Sequence, residues 1–166
     1  MDVNQRIFNV LNSQKIFNKL GLQAIRIIRK RTRKAYDVKG NIFKSYSQGY
    51  LKKRAKAGLE NPEKVTLEFS RVNSMLETIG YTYALGLGGA ESSVEVYITD
   101  PLKEQIAYYH NISGAGKGKV IREFWGIESD KEVEQLNNVI NASVREALVK
   151  EIGDILVELN ELRDNN

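Results

Sequence analysis

The C-terminal part of the sequence carries one apolar stripe that is long for a small domain. Ser129-Asp-Lys-Glu132 forms a capping box, and aliphatic residues then recur every three or four positions as far as Leu162. A helix over residues 130–163 would measure about 51 Å, at ~1.5 Å per residue. A compact domain of this chain length is only about 40 Å across. The helix therefore exceeds what one such domain is expected to cover.

Two arrangements resolve this excess length. The helix can break near Gly153 and fold back over its own core. Alternatively, its last turns pack against a neighbouring subunit or another protein, because an uncovered row of aliphatic side chains in water favours association. Ile155, Leu159 and Leu162 are then candidate subunit-contact residues.

Shorter patterns predict the remaining elements. Helical spacing of apolar residues between Leu20 and Ala35 predicts a long N-terminal helix, with Gly21 as a candidate kink. Alternating apolar residues in 81–87 and 94–98, around a Gly-Gly turn, predict a β-hairpin. Together these patterns predict an α+β fold with a long N-terminal helix, a small antiparallel sheet containing the hairpin, packed helices and a long C-terminal helix.

Capping and turn residues set the expected boundaries of the short elements. Asp37 to Asn41 is turn chemistry, and Ser47 is expected to cap a helix that ends at Gly58. A further helix is expected to be capped by Ser70 and ended by Gly80, and its apolar residues are Val72, Met75, Leu76 and Ile79. Another is expected to be capped by Asp100 and to begin at Pro101, and its buried side consists of Leu102, Ile106 and Tyr109. Phe124 and Trp125 are expected to pack in the core.

Composition places these elements in a single domain, residues 1–166. The 42% hydrophobic and 28% charged content is typical of a soluble globular protein. Residues 1–20 are a candidate N-terminal arm or helix, and residues 154–166 a candidate C-terminal extension. The sequence contains no apolar run of the ~20 residues that a membrane span needs. It also contains no signal-peptide pattern, so synthesis in the cytoplasm is expected.

No residue pattern predicts a catalytic, cofactor-binding or metal site. The chain contains no Cys and one His, which excludes disulfides, thiolate metal sites and histidine-based metal sites. The Gly-rich loop of residues 111–119 fails the Walker A pattern, because Asn111 stands where Gly is required and Gly118 where a hydroxyl is required. We interpret it as a basic loop that becomes ordered on contact with a partner.

Charge is divided unequally along the chain. Residues 1–60 hold 15 Lys and Arg against 3 Asp and Glu, a net charge of +12, whereas residues 61–166 hold 10 against 18, a net charge of −8. Such a division can guide a polyanion to one end, or let the basic part of one subunit dock on the acidic part of its neighbour. The candidate partner-facing or DNA-facing cations are Arg26, Arg29, Lys30, Arg33, Lys52, Lys53, Arg54, Lys117 and Lys119.

Two features of the basic segment have alternative interpretations. Arg31 projects onto the apolar side of its helix, where it either extends to solvent from the rim or pairs with a carboxylate of another subunit. Tyrosines interleave with the cations, and their rings either stack on nucleic-acid bases or pin the segment to the core while the lysines are solvated.

Several short motifs occur in a fixed order along residues 20–148. They are a basic helix end followed by Asp37-x-x-Gly40-x-x-Phe43-x-x-Tyr46-Ser47-x-x-Tyr50, the segment 67–79, and Tyr109-His110-Asn111 with the Gly-rich loop and Arg122-Glu-Phe-Trp-Gly126. This order resembles the tailed-bacteriophage virion morphogenesis, or tail completion, family. Phe69-Ser70 departs from the Thr-Gly of that family, and Val120-Ile121 departs from its Ile-Pro.

The resemblance implies a non-enzymatic structural protein of the virion, made in the host cytoplasm and located at the neck or the top of the tail. Its expected partners are the head–tail connector, the tail tube or terminator protein, and further copies of itself in a ring around the DNA path, a hexamer in the family expectation. It implies non-specific proximity to DNA, no cofactor and no membrane. The residues themselves leave one alternative, a DNA- or RNA-binding accessory protein that uses the basic segment 26–56.

Overall fold

The structure, a computed structural model, describes residues 2–11, 13–68, 74–85 and 92–164. It combines helices with a two-stranded antiparallel hairpin sheet, which confirms the predicted α+β class. The elements follow in the order α1 (Val3–Leu11), α2 (Gln14–Arg33), α3 (Gln48–Lys56), a 3₁₀-helix (Met75–Thr78), β1 (Ile79–Ala84), β2 (Ser93–Ile98), α4 (Pro101–Tyr108), a π-helical turn (Tyr109–Ser113) and α5 (Asp130–Asp164).

The N-terminal region consists of two helices, as the candidate arm allowed, but they do not divide at Gly21. α1 ends at Leu11 and α2 begins at Gln14, so Gly21 lies inside an uninterrupted helix. A glycine inside a helix costs about 1 kcal/mol relative to alanine. The burial of the apolar face of α2, including Ile28, outweighs that cost.

Local chemistry sets the ends of α3 as the sequence predicts. The Ser47 hydroxyl accepts a hydrogen bond from the backbone N–H of Tyr50, and Gly58 follows the helix with a φ of +72°. Before α3, the Asp37 carboxylate accepts hydrogen bonds from the backbone N–H groups of Lys39 and Asn41, at 2.9 and 2.8 Å. This Asx turn reverses the chain between α2 and α3.

The hairpin is confirmed, but the helix expected before it is shorter than predicted. A 3₁₀-helix of four residues is capped by Ser74, and Ile79 and Gly80 already belong to β1. The cap predicted at Ser70 and the Gly88-Gly89 turn lie outside the described residues. The strand prevails here because Thr99 donates a backbone hydrogen bond of 2.8 Å to Thr78, which closes the sheet at this end.

α4 begins as predicted, with Asp100 accepting hydrogen bonds from Leu102 and Lys103. The prediction of its buried side is wrong. Leu102 is 72% exposed, and Ile106 and Tyr109 are exposed as well, whereas Ala107 is buried. The small side chain of Ala107 is the one that enters the hydrophobic core, so the longer aliphatic residues remain in solvent.

α5 runs without a break through Gly153 over 35 residues, or about 52 Å at ~1.5 Å per residue. Of the two arrangements that the sequence allows, the structure excludes a turn at Gly153. The Ser129 hydroxyl accepts a hydrogen bond of 3.4 Å from the backbone N–H of Glu132, which is one half of the predicted capping box. The carboxylate of Glu132 bonds elsewhere, to Arg31.

The chain divides into two compact units. The first unit comprises the described residues of Met1–Gln23, Thr82–Glu95 and Glu134–Asn166, and the second those of Ala24–Tyr81 and Val96–Val133. The second unit contains the main hydrophobic core, formed by Ile25, Ile28, Phe43, Val65, Leu67, Met75, Leu76, Ile79, Ala107 and Phe124. In the first unit, the rings of Phe17 and Tyr83 stack at 6.4 Å.

Candidate functional site

The structure separates the nine predicted partner-facing cations, all in the second unit, into two groups. Six remain exposed at the surface: Arg26, Lys30, Lys52, Lys53, Lys117 and Lys119. The other three, Arg29, Arg33 and Arg54, make several contacts within the chain. The basic surface is therefore smaller than the sequence predicts, and lysine predominates in it.

Arg29 and Arg33 lie four residues apart on α2, and both contact the segment before the hairpin. Arg29 donates hydrogen bonds of 2.6 and 3.0 Å to the backbone carbonyls of Leu76 and Glu77. Arg33 forms ion pairs with Glu68, at 3.2 Å, and with Glu77. The hydrogen bonds to Glu68 and, to a lesser extent, to Glu77 raise the pKa of Arg33. The hydrogen bond between Arg33 and Glu77 also lowers the pKa of Glu77. These two arginines hold the core segment in place.

Arg54 lies in the interior of the second unit, which corrects its expected place on the basic surface. It is 2% exposed and donates hydrogen bonds to the backbone carbonyls of Pro62, Lys64 and Glu68, the shortest being 2.7 Å to Glu68. Three carbonyls replace the water that an exposed guanidinium would bind. The sequence does not signal this burial, because the carbonyls come from the segment 62–68, which the tertiary fold brings to α3.

Tyr46 lies between two arginines. Its ring centroid is 4.9 Å from the guanidinium carbon of Arg54 and 5.0 Å from that of Arg122. Its hydroxyl accepts a hydrogen bond of 3.1 Å from the backbone N–H of Leu67. Burial raises the pKa of Tyr46. The ring packs against the core beside both guanidinium groups, which favours the interpretation that this tyrosine pins the segment to the core rather than stacking on a base.

Arg31, a candidate subunit-contact residue, pairs within its own chain. Its guanidinium donates to the Glu132 carboxylate at 2.6 Å and to the Gly126 carbonyl at 2.9 Å. Both side chains of this pair are largely buried. The sequence left open whether Arg31 extends to solvent or pairs with a carboxylate of another subunit. The structure shows neither, because Arg31 is buried and its carboxylate partner is Glu132 of the same chain, at the start of α5.

The other candidate contact residues lie at the end of α5, where the helix exposes a row of aliphatic side chains. Leu159 and Leu162 are 57% and 62% exposed, whereas Ile155 is half-buried. Sequence reasoning missed three further residues of this surface, although their three- and four-residue spacing is visible in the sequence: Val149, Ile152 and Leu156. We call Val149, Ile152, Leu156 and Leu159 the α5 row.

Ion pairs link the N-terminal helices of the first unit to α5. Arg6 of α1 pairs with Glu151 and Glu158, and these hydrogen bonds lower the pKa of Glu158. Lys15 and Lys19 both bind Glu146, each at 2.9 Å. The sequence does not predict these ion pairs, because the partners are far apart in the chain and each charged residue alone is typical of a solvated surface.

The described part of the chain contains no group of three or more acidic or histidine side chains that could hold a metal ion. Within the same residues, no helix is long and apolar enough to cross a membrane. Comparisons of the sequence and the structure with protein-family models, curated proteins and solved structures found no significant match.

Proposed function

We propose that this protein is a non-enzymatic structural component of a tailed-phage virion that acts in tail completion or head–tail joining. Identical subunits would form a ring around the DNA path at the neck or tail top, in contact with the connector, tail tube or terminator protein. The exposed α5 row carries the proposal of a subunit contact. The order of motifs in residues 20–148 supports the proposed position at the neck or tail top.

The α5 row has the spacing of a helix–helix contact. Val149, Ile152, Leu156 and Leu159 follow one another at intervals of three, four and three residues, and each is more than half exposed. This is the a/d pattern of a coiled coil, in which a second helix covers the seam. Each fully buried aliphatic side chain contributes about 1.5–3 kcal/mol, so four of them supply a substantial part of an interface.

Charge favours a contact between unlike faces of neighbouring subunits. Asp154 and Glu161 are exposed beside the row, and neither forms an ion pair within the described residues. Lys30 and Lys52 in the basic part are exposed as well. Contacts of a basic face with an acidic face are heterologous, and such contacts close into rings when the rotation between subunits allows it.

The double variant Leu156→Ser/Leu159→Ser tests the proposal, with Leu102→Ser as the matched control. All three leucines are exposed within the single chain, so each variant should fold with the circular dichroism spectrum of the natural chain. We expect the natural chain and the control to form a defined oligomer in light scattering, alone or with the products of neighbouring reading frames, and the double variant to remain monomeric. A natural chain that stays monomeric under all these conditions contradicts the proposal.

A second candidate is a nucleic-acid-binding accessory protein. Lys30, Lys52, Lys117 and Lys119 are exposed and form no ion pair within the described residues, which favours contacts with phosphates. Each phosphate contact contributes about 0.9 to the slope of log affinity against log salt for duplex DNA. Fluorescence anisotropy with duplex DNA at several salt concentrations measures that slope. A monomer with a steep slope, reduced in Lys30→Gln/Lys52→Gln, would favour this candidate over the ring.

A further inference from the structure

A cavity of about 580 Å³ opens beside the Gly-rich loop of the second unit. Tyr46, Tyr50, Leu67 and Val120 supply its aromatic and aliphatic wall. Among the described residues that line it, Lys117 and Arg122 supply the charge, and none is Asp or Glu. Its size is that of a pocket for a small organic molecule, and its electrostatic character is cationic.

Arg122 carries a buried charge without a carboxylate partner. Its side chain is 5% exposed, and it donates hydrogen bonds to the backbone carbonyls of Lys44 and Ser45, at 2.9 and 3.0 Å. Among the described residues no carboxylate lies within ion-pair distance of it. Burial lowers the pKa of Arg122. Carbonyl oxygens satisfy hydrogen bonds of Arg122 but do not neutralise its charge, so the wall of this cavity favours a bound anion.

His110 adds an unused polar atom to the same wall. Its Nδ1 is buried and has no hydrogen-bond partner among the residues that the structure describes. Burial, together with the charge of Arg122, lowers the pKa of His110 to about 4, so the imidazole is neutral at pH 7. A neutral imidazole offers one donor and one acceptor. It is therefore compatible with an anionic ligand that brings its own hydrogen-bonding groups.

We propose that this cavity binds a small organic oxyanion, a carboxylate or phosphate group attached to an aromatic or aliphatic body. Arg122 and Lys117 bind the oxyanion, because guanidinium and ammonium groups form charge-assisted hydrogen bonds with both. Tyr50, Leu67 and Val120 contact the apolar body. The proposal concerns this cavity alone and does not depend on the role in the virion.

The single histidine of the chain provides the measurement. Phenyl phosphate, benzoate and neutral phenol are titrated separately into the full chain while the imidazole signals of His110 are followed by NMR. We expect a saturable shift with phenyl phosphate, benzoate or both, which identifies the preferred oxyanion, and a much weaker response to phenol. A bound anion should also raise the pKa of His110, since it stabilises the imidazolium form. If neither anion shifts the signals at millimolar concentration, or if phenol binds equally well, the proposal is wrong.

Two lysine variants locate the binding. Lys117 lines this cavity, whereas Lys119, in the same loop, lines a neighbouring cavity that also includes His110. Both lysines are exposed, and Lys→Gln changes the net charge equally in each case. We expect Lys117→Gln to weaken binding by roughly tenfold, as for the loss of one charge-assisted hydrogen bond, and Lys119→Gln to change it by less than about twofold. Equal losses, or a larger loss in Lys119→Gln, would overturn the assignment.

Discussion

Arg31, near the end of α2, and Glu132, in the first turn of α5, form an ion pair of 2.6 Å that is largely shielded from solvent. Arg31 also donates to the carbonyls of Phe124 and Gly126, so the segment from Phe124 to the start of α5 is attached to α2 at three points. Removing one partner of a buried ion pair leaves the other charge unpaired, which is the costly case.

Replacing Arg31 by Met should therefore lower the free energy of unfolding by about 3–5 kcal/mol. Lys39→Met is the matched control, because the Lys39–Glu123 pair of 3.0 Å is exposed and solvent screens such pairs, so its loss should change stability little. Urea denaturation of both variants measures the difference. Equal stability losses would show that the Arg31–Glu132 pair stabilises no more than a surface pair does.

Phe124 and Trp125 should differ sharply on truncation. Phe124 is fully buried in the core, whereas Trp125 packs against the core from a partly buried position. Phe124→Ala should cost about 3–5 kcal/mol, as for other buried aromatic residues, and Trp125→Ala less, because part of its ring is already hydrated. Denaturant melts followed by circular dichroism test this order, and the reverse order would make Trp125 the principal anchor.

Glu146 should give the first unit a pH-dependent stability. Hydrogen bonds from Lys15 and Lys19 lower the pKa of its carboxyl from 4.5 to about 2. Because the folded-state pKa lies below the unfolded value, this contribution is complete above the unfolded pKa and is lost as the pH falls from 4.5 through about 2. NMR titration of the carboxyl group measures the pKa directly.

The variant Lys15→Gln/Lys19→Gln should return the pKa of Glu146 towards 4.5. Lys150→Gln is the control, since Lys150 lines the same groove as Glu146 but forms no ion pair within the described residues. High salt should reduce the shift in the natural chain, because the groups are exposed and screened. A Glu146 pKa that is unchanged by the double variant contradicts the assignment.

A side chain added to the Gly-rich loop can cost stability through backbone strain or through a steric collision, and alanine variants of Gly114 and Gly116 distinguish the two. Both have positive φ, at 84° and 72°, but a Cβ at Gly114 would collide with the backbone carbonyl of Lys119, whereas one at Gly116 would meet open space. Gly116→Ala should cost about 1–2 kcal/mol for the left-handed conformation alone, and Gly114→Ala should cost more. Thermal unfolding compares them, and equal losses would show that the loop moves to relieve the collision.

Local chemistry made much of this fold predictable. The caps at Ser47 and Asp100 and the uninterrupted periodicity of α5 depend on residues a few positions apart, so the sequence displays them directly. The burial of Arg54 depends instead on carbonyls that the segment 62–68 brings to it, and the exposed side of α4 depends on which element it packs against. Such tertiary effects leave no periodic signal.

The same limit applies to the candidate sites. The apolar residues at the end of α5 are visible in the sequence as a long stripe, and the structure adds which of them remain exposed. The cavity beside Arg122 is not visible there, because it combines α3, the segment around Leu67 and the Gly-rich loop.

The contacts of Arg54 and Arg122 with backbone carbonyls bear on how the second unit responds to acid. The hydrogen bonds of these two guanidinium groups end on amide oxygens, which do not take up protons at any pH at which the protein is handled. A guanidinium group remains charged in acid as well. The attachment of α3 and of the segment around Tyr46 is therefore insensitive to low pH, whereas the links of Arg6 and Lys15 to α5 end on carboxylates that acid neutralises. Acidification should therefore weaken the ion pairs that end on carboxylates in either unit, and leave the carbonyl contacts of Arg54 and Arg122 in place.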